Sequence, residues 1–149
     1  IRAYMFYASY KSLLKKDKNL IKSEVIWNIE KGMTLTVDDL IKAEKIRANI
    51  YKNTMQFFDK YDFLIVPSSI VPPFDAEQEW VKKVEGKIFD NYVSWLMIAA
   101  CVSLTGCPSL VMPTSFSKEN APIGVQIIAA PNQEKKLINF SKSIEDNLD

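Results

Sequence analysis

Over the first sixty residues the apolar positions recur at helical spacing, and beyond them they gather into short continuous runs. From Ile1 to Lys16, Tyr4, Tyr7, Ala8, Lys11 and Leu14 fall at steps that predict a helix. Asp17-Lys18-Asn19 is a polar break. Leu20 to Lys31 reads as a second helix, with Ile21, Val25, Ile26 and Ile29 on one side and Gly32 placed as its C-cap. Thr36 then sits as an N-cap with Asp39 three residues on, a variant of the capping box, flanked by Leu35 and Leu40 as the hydrophobic staple. Ala43, Ile46, Ile50, Thr54, Phe57 and Tyr61 follow at steps of three and four. The pattern predicts a helix from Val37 to Lys60, about 36 Å long at about 1.5 Å per residue, with Lys42, Lys45, Lys52 and Lys60 on its solvated face.

After Tyr61 the period changes. Phe63 to Val66 is a continuous apolar run ended by Pro67, and Ser109 to Met112 ends the same way at Pro113. Ile123 to Ala129 is the third such run, ending near Pro131. Continuous apolarity predicts strands covered on both faces by helices, and each proline marks a place where the chain leaves the sheet. Between the first two strands, Ser68 to Glu85 carries Pro72 and Pro73 and lacks period, so it reads as a long excursion of the kind that often covers a site. Gly86 to Leu104 returns as a helix that is apolar nearly all round, hence buried. Asn132 caps a last amphipathic helix with Leu137, Phe140, Ile144 and Leu148 inward. The whole reads as α/β: helices over residues 1–60, then a βαββα closing segment over 63–148.

Composition narrows the function more than the fold. The chain has 149 residues, 48% of them hydrophobic, enough for a real core. Nineteen Lys and Arg against 18 Asp and Glu leave a net charge of +1, and the pairs Lys15-Lys16, Lys82-Lys83 and Lys135-Lys136 read as solvated helix surface, so no nucleic-acid partner is expected. The strongest apolar run, Val93 to Leu104, is shorter than the roughly 20 residues a bilayer requires, and no membrane partner is expected. There is no histidine, which excludes Ser-His-Asp and Cys-His catalysis within the chain. Cys101 and Cys107 supply too few thiolates for a structural metal site; they read as reduced core thiols of a cytoplasmic protein, with no metal and no cofactor. An Ile at position 1 suggests a truncated or processed product.

Several residues invite a chemical reading. Ser68-Ser69 looks like a nucleophile pair, but no histidine activates it, and hydroxyls that satisfy backbone groups at a strand end explain it better. Asp75, Glu77 and Glu79 alternate along the excursion as solubilising carboxylates rather than an acid/base set. Trp80, Tyr92 and Trp95 are large aromatics in or beside the excursion; they either line a pocket for an apolar acyl group or pack the core. Gln126 is a polar side chain inside an apolar strand, and a structural tie to a neighbouring loop is the favoured role.

The ordered set of blocks resembles the amidase signature family. Trp27 to Phe74 is similar to that family's glycine-ended helix, long Arg-bearing helix, "YD-apolar-P" strand and "VPPF" loop. Gly86 to Trp95 looks like its "G…Y…W" helix, while TGCPSLVMP and APIGVQIIA resemble its "TG-P-apolar-P" and "LP-G-Q" blocks. The likeness covers Leu20 to Asp146. It implies an α/β/α sandwich with a mixed central sheet, of which this chain is the C-terminal part, and structural roles for Gly106, Pro108, Gly124 and Gln126. Thr114-Ser115 stands where the family usually has Ala-Gly, and Asn120 where glycine is common; Asn tolerates a left-handed backbone, so that turn is expected to survive.

Membership implies amide hydrolysis through a Ser–cis-Ser–Lys triad in which a neutral lysine is the base. No GGSSGG-like loop is present, so no catalytic position carries over and the catalytic N-terminal half is expected to be absent. The expected partners are a small-molecule amide, that N-terminal half and, in one arrangement, a second copy forming a homodimer. The isolated chain is expected to hydrolyse no amide and to self-associate through apolar surface meant for the missing half. Two alternatives stand beside this: a non-enzymatic binding or structural domain derived from the same fold, and the A subunit of a tRNA-dependent amidotransferase, although the "WNIEKG…VPPF…EW" context looks more like simple amidases.

Overall fold

The computed structural model of the chain describes residues 1–16 and 18–148, so the Asp17 position of the expected polar break lies outside the described residues. The chain divides into two compact units, Ile1–Asn49 and Ile50–Asp149.

In the first unit, α1 (Arg2–Tyr10) and the short α2 (Leu13–Lys16) replace the single helix expected there, and a 3-10 turn at Lys18–Leu20 leads to α3 (Ser23–Met33). α1 packs against α3. Ile29 and Asn28 are buried on α3, and Asn28 Nδ2 donates to Glu24 O at 2.7 Å. Gly32 is not the C-cap the sequence suggested. It lies inside α3, buried, where a Cβ would come within 2.2 Å of Ala3 O and 2.6 Å of Tyr7 Cβ. Its missing side chain is what lets α1 approach.

The capping box is present. Thr36 N donates to Asp39 Oδ2 at 2.9 Å, and Asp39 N donates back to Thr36 Oγ1 at 3.2 Å. These bonds hold the Asp39 carboxyl below the ordinary carboxylate range, the backbone N–H of Thr36 contributing most. α4 follows as Val37–Phe58, two residues shorter than expected, and Leu35 and Leu40 are both half-buried. The apolar stripe of α4 finds little cover: none of its residues is buried, and Ile46 is exposed.

The core of the second unit is a three-stranded antiparallel sheet in the order β1 (Leu64–Pro67), β5 (Pro122–Ile128), β4 (Ser109–Phe116). The three strand positions agree with the apolar runs, but two expectations about them do not hold. β4 does not stop at Pro113: it passes through a register shift between Pro113 and Ser115 and continues to Phe116. Proline survives there because β4 is an edge strand of this sheet and a bulge removes the need for its missing N–H. Nor are all strands covered on both faces. Burial alternates along β1 and β4, leaving Val111 61% exposed, whereas Gln126 to Ala129 at the end of β5 are buried on both sides.

α7 (Glu134–Glu145) covers one face of the sheet, packing Leu137 against Met112, Ile127 and Ala129, with Phe140 and Ile144 alongside. Phe140 stacks on Phe63 at 4.1 Å between centroids, and Lys136 pairs with Asp62 beside them. Leu148, expected inward, is exposed. Asn132 does not cap α7; Gln133 holds the cap position, and Asn132 makes the left-handed turn (φ 64°) before it.

The region from Lys83 to Leu104, expected as the end of the excursion and a long helix from Gly86, departs most from expectation. It opens with a hairpin, β2 (Lys83–Val84) and β3 (Lys87–Ile88), whose two-residue turn has φ of 47° at Glu85 and 80° at Gly86. Positive φ at both positions is the geometry that matches strand twist in a tight hairpin. The expected long helix is broken into α5 (Tyr92–Trp95), α6 (Met97–Ala100) and a 3-10 turn at Cys101–Leu104, none with a buried residue. Cys101 is exposed and Cys107 half-buried; neither is disulfide-bonded. Among the described residues, no helix is long and apolar enough to cross a membrane and no cluster could hold a metal ion.

Candidate functional site

The excursion from Ser68 to Glu85 leaves the sheet at β1 and returns through the β2–β3 hairpin, and its two ends meet. Ile70 from the first end and Val84 from the second line one cavity of about 370 Å³, together with Phe89, Trp95, Met97 and Ile98. Local hydrogen bonds place these walls. Phe89 N donates to Lys82 O at 2.9 Å, which extends the hairpin by one residue pair. Asn91 caps α5, accepting Ser94 N at 3.1 Å, and so sets the direction in which Trp95 leaves the backbone. Trp95 also meets Phe74 of the excursion edge-on, at 5.7 Å and 81°.

Of the three aromatics singled out from sequence, only Trp95 lines this cavity. Trp80 and Tyr92 are half-buried and lie outside its lining. Phe89, Val84, Met97 and Ile98 carried no signal of their own in the sequence.

A second depression, about 290 Å³, lies at the ends of β1 and β5 and contains Ser68, Ser69, Ser117 and Gly124. Its hydroxyls are engaged with the backbone. Ser68 Oγ donates to Gly124 O at 3.0 Å, Ser69 Oγ donates to Val71 O at 2.8 Å, and Ser117 Oγ accepts from Ala121 N at 3.2 Å. Every lysine is exposed, and none lines this depression. Asp75 Oδ1 accepts from Glu77 N at 2.9 Å, which fixes a turn; Asp75, Glu77 and Glu79 are all exposed.

The four residues given structural roles sit in or beside the β4–β5 pair. Gly106 is left-handed (φ 67°) in the turn that enters β4. Pro108 O accepts Ala129 N at 3.1 Å, closing the open end of the hairpin. At Gly124 a Cβ would come within 3.0 Å of both Met112 O and Ser68 Oγ, so the absence of a side chain lets three segments converge. Gln126, 7% exposed, donates Nε2 to Ser109 Oγ at 2.8 Å, tying β5 to the adjacent strand rather than to a loop; its Oε1 is buried without a partner. Asn120 is left-handed (φ 60°) in the β4–β5 loop, as its tolerance for that conformation allows.

These elements, in this order, define a known class. The chain belongs to the Amidase family, whose model matches residues 7–138. It is 32% identical over 100 residues to a glutamyl-tRNA(Gln) amidotransferase component, the A subunit, of Alkaliphilus metalliredigens, covering 67% of this chain and 18% of that protein. It is 28% identical over 138 residues to AmiA2 of Mycobacterium bovis, a candidate amidase, covering 87% of this chain and 26% of that protein. Among solved structures, the fold matches a crystal structure of an amidase at a TM-score of 0.86 and 20% identity, covering 99% of this chain and 33% of that one. It also matches a bacterial aryl acylamidase of the amidase signature family at 0.76 and 20% identity, covering 91% and 30%. The chain therefore has the α/β fold of amidase signature enzymes. It spans 18% and 26% of the length of these two curated relatives and about a third of these solved enzymes.

Proposed function

We propose that this chain is the C-terminal segment of an amide hydrolase, which converts a carboxylic amide and water to a carboxylate and ammonia or an amine. In this reading a Ser–cis-Ser–Lys triad lies in the segment that precedes the chain, and residues 1–149 form the closing part of one amidase domain. The observation that carries it is the ordered family match over residues 7–138 on a chain whose own serine–lysine chemistry is unassembled: Ser68 and Ser69 are hydrogen-bonded to backbone carbonyls, and every lysine is exposed. The uncovered apolar surface supports it too. Met97, Val111 and Phe116 are exposed here, and a preceding catalytic segment would give such residues a partner.

The test compares two proteins. Incubated with an activated amide, the 149-residue chain should show no acyl adduct at Ser68, Ser69 or Ser115 by mass spectrometry, while the full-length gene product should release amine or ammonia. An adduct on the short chain, or no hydrolysis by the full-length product across a broad panel of amides, would overturn the reading.

A second reading keeps the chemistry and changes the assembly. The likeness to the A subunits of glutamyl-tRNA(Gln) amidotransferases favours it. In that case the full-length product should copurify with further subunits and deliver ammonia to a glutamyl-tRNA acceptor, rather than hydrolyse simple amides alone.

A further inference from the structure

We infer that the groove formed by α1, α2 and the end of α3 binds an amphiphilic anion, a carboxylate or phosphate carried on a short alkyl chain. This site does not depend on the amide-hydrolase reading. Residues 1–22 hold six Lys and Arg against one Asp, a net of +5 in a chain whose net charge is +1, so the rest of the chain is net negative. Two of these cations line a groove of about 480 Å³, within the roughly 300–1,000 Å³ usual for small-molecule sites. Gly32 makes the groove possible. With no side chain there, α1 lies close enough to α3 for Tyr7 and Met33 to share one lining, joined by Leu14 of α2.

The rest of the lining is Lys11 and Ser12, in the turn between α1 and α2, and Lys15 of α2; among the described residues no carboxylate lines the groove. Lys11 Nζ lies over the Tyr7 ring at 4.9 Å, a cation–π contact that holds the ammonium beside the apolar lining. Among the described residues, no ion pair or hydrogen bond engages the ammonium of Lys11 or Lys15, or the hydroxyl of Ser12. Lys18, by contrast, is paired with Glu30 at 3.2 Å. Two ammonium groups without a carboxylate on one groove favour an anion, and the apolar lining beside them favours an alkyl chain over a bare ion. Met33, 60% exposed, and the half-buried Tyr7 and Leu14 are the side chains that such a chain would cover.

The experiment reads the groove itself. Octanoate and octyl phosphate are titrated into the full-length gene product labelled with carbon-13 at its methionine methyl groups, the Met33 signal being assigned through Met33→Leu. Octanol lacks the charge, while acetate and inorganic phosphate lack the chain. Either octyl anion should shift the Met33 methyl signal saturably and bind at least tenfold more tightly than any of the three controls. Lys11→Glu and Lys15→Glu, each confirmed as folded by circular dichroism, should weaken that binding at least tenfold. Sedimentation with phosphatidylglycerol vesicles separates the sources. Cosedimentation that Lys15→Glu abolishes assigns the anion to a lipid headgroup, and none assigns it to a soluble molecule. An unmoved Met33 signal, octanol that binds as well as octanoate, or folded Lys11→Glu and Lys15→Glu variants that bind unchanged would overturn the site. Octanoate held elsewhere as a product of amide hydrolysis would be indifferent to both lysines, so failure here stays distinct from failure of the amide-hydrolase reading.

Discussion

The end of β5 and the run from Val93 to Leu104 are both almost wholly apolar, and they meet opposite fates. Ile127 and Ala129 are buried beside a helix that the same chain supplies a few residues downstream. Met97 is 44% exposed, and no residue of α5, α6 or the following 3-10 turn is buried. Hydrophobicity announces that a surface needs a partner; it does not say that the partner is in the chain. α7 answers β5 because Leu137, Phe140 and Ile144 return to it at helical spacing. Nothing among the described residues buries the apolar run in that way.

The largest expected effect tests that contrast directly. Ile127→Ala should destabilise the unit by about 2–5 kcal/mol, as truncation of a fully buried aliphatic side chain does. Met97→Ala in the same chain should change stability by less than about 0.5 kcal/mol, as at other exposed positions. Urea unfolding of both variants gives the two numbers. If the proposed catalytic segment docks there, the contrast should collapse in the full-length gene product, because Met97 would be buried and its truncation would enter the range of the core. A Met97→Ala effect that is small in both proteins would mean that the apolar run never acquires a partner.

The next effect concerns the first unit, where close approach replaces side-chain burial. Gly32→Ala would push a methyl group to within 2.2 Å of a backbone oxygen of α1. Backbone cannot swing aside as a flexible side chain can, so α1 must shift or detach, at about 1–3 kcal/mol. Hydrogen exchange read at α1 and α3 should show faster exchange in α1 while the sheet of the second unit is unaffected. Faster exchange throughout both units would show that the strain reaches further than α1 and α3.

What the sequence revealed, and what it hid, follows the reach of each signal. Thr36 and Asp39 are legible because a capping box closes over four residues. β1 and β5 are legible to within a residue or two because their apolar runs are continuous, whereas β4 outruns its proline by three residues through the bulge. Gly32 misleads because the same residue serves as a C-cap and as a close-approach site, and only Ala3 and Tyr7, far away in sequence, decide between them. Asn132 misleads by one step: it makes the left-handed turn, and the cap falls on Gln133. β2 and β3 have two residues each, too few for any period, so the hairpin hides inside a segment that reads as excursion and helix. Within the cavity, Trp95 stands out in the sequence by its size. Ile70 and Val84 do not, because only the fold brings them to one cavity.

The smallest effect belongs to the most local feature, and its pH dependence gives it a sign. Thr36→Ala removes the hydroxyl that accepts Asp39 N and donates to Asp39 Oδ2, and should cost about 1 kcal/mol at neutral pH. Asp39 has a folded pKa below its ordinary value of 3.8, since its carboxylate accepts from Thr36 N and Oγ1. A group depressed on folding stabilises the folded state fully above its unfolded pKa, and loses that contribution as pH falls through the folded one. The wild-type advantage over Asp39→Asn should therefore be constant from neutral pH down to about 5, and shrink below about 4 as the carboxylate protonates. Helicity of α4, followed by circular dichroism during acid titration, reads it out. An advantage that grew on acidification would mean that Asp39 acts on the helix through something other than its charge. The capping box would then belong with Met97 rather than Ile127, as a feature whose meaning depends on a partner beyond its own segment.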